Sequence, residues 1–247
     1  MILQLDIGNT RLKWRFLGAG EVVRGVCDHK DFALQVLGEL TGVREIQIAA
    51  VCAQSRVDEL IALFVCTLPG VRVYQAKSAA SLGGVRFAYQ IPESQGVDRC
   101  LAMVAAYQRY SASPNFRGVM VIDAGSAITV DVLDEAGKQI DGYIAPGLGL
   151  MRNALLDGTS KIAESYSGSD EVEGLLTTRK CVDQGVYRAF VSLVRGFVDA
   201  ARAQGLALLL TGGDAWQIER SFPEECFVIV DDLVFEGLEV AAAQGGV

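Results

Sequence analysis

Two short segments carry residue types suited to holding phosphate. Leu3-Gln4-Leu5-Asp6-Ile7-Gly8-Asn9-Thr10 and Met120-Val121-Ile122-Asp123-Ala124-Gly125-Ser126-Ala127 each run an apolar strand into Asp-x-Gly and a small polar residue. Such a turn offers a carboxylate for a hydrated Mg²⁺. Its glycine tolerates positive φ, so backbone N–H groups and a hydroxyl can face phosphate oxygens. One turn of this kind is also an ordinary hairpin, whereas two, each opening a similar stretch of chain, point to a nucleotide. A third segment, Leu208-Leu209-Leu210-Thr211-Gly212-Gly213-Asp214-Ala215, is a strand ending in small residues before a helix with Asp214 at its N-cap. There backbone can approach a flat adenine ring, although Thr-Gly-Gly is also a common strand-to-helix turn.

Asp98, in Gln95-Gly96-Val97-Asp98-Arg99, stands just before the apolar helical run Cys100–Tyr110. It either caps that helix or serves as a general base. Arg99 beside it could clamp an anionic substrate group, because a guanidinium meets a carboxylate through two parallel hydrogen bonds. The one histidine, His29, lies in the polar stretch Cys27-Asp28-His29-Lys30-Asp31 and reads as a surface loop residue, so base chemistry falls to carboxylates. The six cysteines (Cys27, Cys52, Cys66, Cys100, Cys181, Cys226) are scattered without a C-x-x-C pair. They suggest neither a zinc site nor a disulfide framework and read as reduced, mostly core residues.

Positioning two such turns requires two similar frameworks, and the pattern around them repeats. Leu12–Leu17 leads through Gly18-Ala19-Gly20 into Val22-Val23, while Ile128–Leu133 leads through Glu135-Ala136-Gly137 into Ile140. Each half thus opens as a β-meander. Afterwards strands and helices alternate: strands at Glu45–Val51 and Val71–Ala76 flank a helix at Ser55–Thr67. Later come a helix at Thr178–Gln204, a strand at Leu206–Leu210, a short helix after Asp214, a strand at Cys226–Val230 and a last helix from Leu233. This layout predicts an α/β fold of duplicated actin-like ATPase (ribonuclease H-like) domains, residues 1–114 and 115–247, with ATP in the cleft between them. Turn residues at Ser111–Arg117 mark the boundary.

Bulk properties narrow the function. Of 247 residues, 51% are apolar and 21% charged, enough for a buried core and unlike a disordered chain. The formal net charge is -8 and no long Lys/Arg run occurs, which disfavours nucleic acid as a partner. No stretch approaches the roughly 18 apolar residues of a membrane span. The start MILQLDIGNT carries a charge too early for a signal peptide, so a soluble cytoplasmic protein is expected.

Several blocks, taken in order, resemble the type III pantothenate kinases. They are Asp6-Ile7-Gly8-Asn9-Thr10 with Lys13; Tyr89 and Gly96-Val97-Asp98-Arg99; Asp123-Ala124-Gly125-Ser126-Ala127-Ile128-Thr129; and Gly142-Tyr143-Ile144-Ala145-Pro146-Gly147. Thr211-Gly212-Gly213-Asp214 and Asp232-Leu233-Val234-Phe235-Glu236-Gly237-Leu238 complete the series, which spans nearly the whole chain. The resemblance implies ATP-dependent phosphorylation of pantothenate to 4'-phosphopantothenate, the first step of coenzyme A synthesis, with Mg²⁺ and a monovalent cation, K⁺ or NH₄⁺. It makes Asp98 the proton acceptor and places Tyr89, Gly96, Val97, Arg99 and Thr178 on the acceptor substrate, with Thr177 an immediate competitor for the last position. It assigns Asp6, Ile7, Gly8, Asn9, Thr10, Arg11, Leu12, Lys13, Ser126, Gly212 and Gly213 to ATP, Asp6 to Mg²⁺ and Asp123 to the monovalent ion. Ser126 stands where similar members usually carry Thr, and keeps the hydroxyl. A homodimer with the acceptor pocket near the subunit interface is implied as well. Two other readings stay open: a kinase of the same superfamily for another small hydroxy acid, and a non-catalytic or bifunctional transcriptional accessory factor.

Overall fold

The structure, a computed structural model, describes residues 1–18, 20, 22–32, 36–168 and 175–245. Ala19, in the first meander's expected turn, lies outside them. The chain opens with antiparallel β1 (Ile2–Ile7), β2 (Arg11–Leu17) and β3 (Val23–Asp28). Parallel β4 (Glu45–Ala50) and β5 (Arg72–Gln75) extend the sheet on the other side of β1, giving the order β3-β2-β1-β4-β5. Helix α1 (Gln54–Thr67) makes the crossover between β4 and β5. A small hairpin of β6 (Ser81–Leu82) and β7 (Val85–Arg86) then precedes α2 (Val97–Tyr110).

The plan repeats with β8 (Gly118–Ala124), β9 (Ala127–Asp134) and β10 (Gln139–Pro146), followed by α3 (Leu148–Asp157), α4 (Ser160–Gly168) and α5 (Thr178–Gln204). Strands β11 (Ala207–Thr211) and β12 (Val228–Ile229) pair in parallel beyond β8, with α6 (Ala215–Ser221) between them, and the sheet order is β10-β9-β8-β11-β12. Central strand β8 is buried along most of its length, so its residues Gly118–Ile122 read as a continuous apolar run rather than an alternation, up to the half-buried Asp123. In α5 the buried residues Val182, Val186, Phe190, Val194, Val198 and Ala201 recur at three- and four-residue spacing. That stripe packs on the second sheet and places the helix. The helix stops at Gly205, whose φ of 66° is the left-handed geometry that glycine takes without penalty.

By contacts the chain forms two compact units: Met1–Ala112 with Ala136–Ile140 and Asp232–Val247, and Ser113–Glu135 with Asp141–Asp231. The closing helix α7 (Leu233–Ala243) therefore belongs with the first unit. Its residue Gly237 lies so close to α2 that a Cβ there would come within 2.0 Å of the Leu101 carbonyl oxygen. Polar contacts secure the same helix. The buried Arg15 guanidinium bonds Gln4 Oε1 (2.6 Å), Asp232 Oδ2 (3.0 Å) and Glu239, and its Cζ lies 4.9 Å from the Phe235 ring centroid.

Several expectations shift in detail. The helix expected from Cys100 begins at Val97, and the strand expected over Cys226–Val230 is ordered as a strand only at Val228–Ile229. The cysteines are free but not mostly core: Cys27 and Cys100 are buried, Cys52 is half-buried, and Cys66, Cys181 and Cys226 are exposed. The last three sit at solvent-facing positions of α1 and α5 and in the loop before β12. Among the described residues, no helix is long and apolar enough to cross a membrane.

Candidate active site

In the first unit, the loop between β1 and β2 is closed by the Gly8 N–H donating to the Arg11 carbonyl at 3.0 Å. Asp6 and Lys13 are cross-strand partners, with Nζ 4.0 Å from Oδ2. Asn9, Thr10 and Arg11 are exposed at the tip, while the Ile7 and Leu12 side chains are fully buried, so the latter two can offer a ligand only their backbone. His29 is no idle surface residue: its Nε2 lies 2.9 Å from the Gly8 carbonyl oxygen and ties β3's end to this loop.

The matching turn in the second unit is one residue shorter. Gly125 N–H donates to Ala127 O at 3.0 Å, and the residue facing Asp123 across the ladder is Thr129, not a lysine. The Thr-Gly-Gly segment closes directly on this turn. Gly212 has φ 93°, and a Cβ there would sit 2.5 Å from both the Ala124 carbonyl and Asp123 Oδ1. The Asp214 N–H donates to Ala124 O at 2.9 Å. The Asp214 side chain occupies the N-cap position of α6 but makes no cap bond; it accepts from Gln217 Nε2 at 2.7 Å instead. Gly147 packs against the Gly125 and Ser126 carbonyls from the other side and donates its N–H to Ser126 O at 3.0 Å. Asp123, Ser126, Gly212 and Gly213 are thus gathered at one place in this unit.

Asp98 does not cap α2. The N-cap is Gly96, and Asp98 sits in the first helical turn, its Oδ1 accepting the Arg99 N–H at 2.8 Å. A Cβ at Gly96 would meet Asp98 Oδ1 at 2.5 Å and Val51 Cγ1 at 3.7 Å, so only glycine leaves room for this carboxylate. Burial pushes the Asp98 carboxyl above the usual range, opposed by the Arg99 N–H and charge and, more distantly, by Lys13. A carboxylate raised by desolvation is a better proton acceptor than a solvated one. Arg99 is itself buried and donates from Nη1 to the Tyr89 hydroxyl at 2.7 Å, with Cζ 5.6 Å from that ring's centroid.

Each unit holds a cavity of its own. In the first unit, about 810 Å³ opens beyond the carboxyl ends of β4 and β5, walled by Gln95, Gly96 and Val97, where open α/β sheets bind ligands. Asp98, Arg99 and Tyr89 are not among its lining residues. In the second unit, about 780 Å³ is bordered by Met151, Leu155, Ile162, Leu176, Thr177 and Thr178. Thr177 is the N-cap of α5, its hydroxyl accepting the Lys180 N–H at 3.2 Å, so Thr178, the first helical residue, carries the less committed hydroxyl of that pair.

Among the described residues no group of three or more His, Cys, Asp or Glu could hold a metal ion. Asp6, at the end of β1, offers one carboxylate, the kind of donor that Mg²⁺ beside a nucleotide takes along with phosphate oxygens and water. Sequence reasoning missed the tie of His29 to the Gly8 loop, because a single loop histidine carries no pattern.

Two five-stranded sheets of one order, each opening on an Asp-x-Gly turn, define a chain of the actin-like ATPase fold. Solved structures bear this out. A Campylobacter jejuni protein described as a candidate Baf family transcriptional activator superposes with TM-score 0.59 at 20% identity over 98% of each chain. Acetate kinase from Porphyromonas gingivalis gives 0.51 at 10% identity, over 98% of this chain and 99% of that one. The family model for type III pantothenate kinase matches residues 2–200, and the type III pantothenate kinase of Alcanivorax borkumensis is 36% identical over 252 residues, 99% of each chain. The chain belongs to the type III pantothenate kinase family.

Proposed function

We propose that this protein transfers the γ-phosphoryl group of ATP to the primary hydroxyl of pantothenate, giving 4'-phosphopantothenate and ADP at the start of coenzyme A synthesis. Family membership supplies the substrate pair, and the observation that carries the chemistry is the half-buried Asp98 carboxylate over Gly96 at the start of α2, which desolvation raises above its ordinary pKa. The hydroxyl oxygen attacks the γ-phosphorus, the bond to the β,γ-bridging oxygen breaks, and the hydroxyl proton passes to Asp98. Such a transfer needs positioning and charge neutralisation more than covalent help.

The remaining roles are those that the family resemblance implies. Asn9, Thr10, Arg11 and Lys13 face the phosphates from the first unit, joined by the backbone of Ile7, Gly8 and Leu12. Ser126, Gly212 and Gly213 serve the nucleotide from the second. Asp6 would hold Mg²⁺, which when bound offsets phosphate charge, and Asp123 would hold K⁺ or NH₄⁺. Arg99, oriented by Tyr89, takes the pantothenate carboxylate, and Thr178 contacts the same substrate. The protein works as a cytoplasmic homodimer. Exposed apolar residues of the second unit, Ile144, Leu150, Leu175 and Leu176, supply a surface suited to a second copy.

Measuring ADP release with and without pantothenate tests the reading. Release that depends on pantothenate is expected; release triggered instead by another hydroxy acid, or none with any acceptor, would reject it.

A further inference from the structure

The segment Phe87–Gly96 joins β7 to α2 and, apart from a 3₁₀ turn at Pro92–Ser94, has no regular structure. It carries Tyr89, while α2 carries Asp98 and Arg99, so the geometry of all three depends on how this segment is held. Both its ends hang from one atom. Gln139, the first residue of β10 and 2% exposed, accepts on its Oε1 the Ala88 N–H at 3.1 Å and Gln95 Nε2 at 3.2 Å. Arg86 N–H donates to the Gly137 carbonyl at 2.8 Å and Arg86 bridges Lys138 in parallel, so the two stretches of chain run side by side up to this point. In a continued parallel ladder the next donor would be Ala88, but its N–H goes to the Gln139 side chain instead. All of these residues belong to the first unit.

The same oxygen dictates the orientation of its neighbour. A backbone N–H can only donate, so Gln139 must present oxygen to Ala88, and Gln95 must turn its NH₂ toward that oxygen. Gln95 Oε1 is thereby left buried without a partner. An unpaired buried acceptor is destabilising, yet turning this carboxamide over would set oxygen against oxygen. Departures of this kind from full hydrogen bonding collect where geometry serves a site more than stability.

What the shared oxygen fixes is a pair of side chains. Tyr89 follows Ala88 directly, and its hydroxyl accepts from Arg99 Nη1 at 2.7 Å. Gln95 precedes Gly96, the N-cap of α2, and Arg99 stands in the first turn of that helix. Tying Ala88 and Gln95 to one atom closes the stretch between them into a loop, and the loop sets Tyr89 against Arg99.

We propose that Gln139 is a positioning residue of the acceptor site: its Oε1 joins the Tyr89 segment to the approach of α2 and so holds the Arg99 guanidinium where the acceptor carboxylate meets it. This assignment rests on the pantothenate kinase reading, in which Arg99 takes that carboxylate.

The test measures KM for pantothenate and for ATP in the wild type, Gln139→Leu, Tyr89→Phe and the double variant. Each single change should raise the KM for pantothenate roughly tenfold, the scale of one buried hydrogen bond, and leave the KM for ATP within about twofold. Because both act through one chain of contacts, the double variant should lose little more than either single one, far less than the roughly hundredfold of independent effects. A multiplicative loss in the double variant overturns the assignment, as does an equal rise of both KM values in Gln139→Leu. So does Tyr89→Phe with an unchanged KM for pantothenate. Gln95→Met breaks only one of the two links and removes the unpaired oxygen, so it should fold even if Gln139→Leu does not. It should raise the KM for pantothenate several-fold, and a wild-type value there also overturns the assignment. A wild type inactive on pantothenate, seen before any variant is made, overturns the substrate reading and this assignment with it.

Discussion

Burial holds the Asp98 carboxyl above the ordinary carboxylate range, against the pull of Arg99 and Lys13, and this has consequences for both rate and stability. The folded state binds the Asp98 proton more tightly than the unfolded chain. Its contribution is therefore fully present below the unfolded pKa and is lost as pH rises through the folded one. Asp98→Asn should have a higher Tm than the wild type at pH 7, with the gap closing as pH falls through the carboxylate range, while kcat drops roughly 10²–10⁴-fold. Calorimetry across pH and a steady-state assay check the two halves, and a variant with near-normal kcat removes Asp98 from the base role. Arg99→Ala should raise the KM for pantothenate by roughly tenfold or more and leave the KM for ATP nearly unchanged, since a charge-assisted pair is lost. Pantothenol, which lacks the carboxylate, should show no such change; equal losses with both acceptors would mark Arg99 as structural. Asp98 and Arg99 were visible as candidates in the sequence because helix-start acids and adjacent arginines form a recognisable local pattern. That Gly96 rather than Asp98 stands at the N-cap was not, since it depends on which oxygen meets which N–H and on Gly96 yielding its Cβ space.

The two Asp-x-Gly turns differ by one residue, and the difference separates their chemistry. The longer loop after β1 places Lys13 opposite Asp6, whereas the tighter loop after β8 places Thr129 opposite Asp123 and brings Gly212 against its carboxylate. The alternation of strands and helices, and even the span Thr178–Gln204, could be read from periodicity and end signals. The partnership of α7 with α2 could not, because it joins residues far apart in the chain through a glycine that looks unremarkable locally. Gly237→Ala should destabilise the protein by about 1–3 kcal/mol, the usual cost of overpacking, because the new methyl group strikes the Leu101 backbone. Urea unfolding measures this, and an unchanged midpoint would show that α2 and α7 can separate without cost. Because α2 also carries Asp98, the same variant should lose kcat.

At the scale of the molecule, the exposed apolar residues of the second unit bear on assembly. Leu176, 78% exposed, borders the apolar cavity that includes Thr178. Leu176→Lys should weaken the proposed homodimer at least tenfold by placing a charge in a buried contact. Light scattering over a dilution series reads the shift, and an unchanged mass would move the interface elsewhere. The sequence by itself determined the duplicated α/β plan, the two Asp-x-Gly turns and the family, since each rests on short-range pattern: an apolar strand, an Asp, a glycine, and their order along the chain. Only the tertiary structure decided that α7 packs in the first unit, that His29 holds the Gly8 loop, and that Lys13 faces Asp6 while Thr129 faces Asp123. Each of these depends on atoms brought together from distant positions, where steric fit and hydrogen-bond direction, rather than residue type, select the partner.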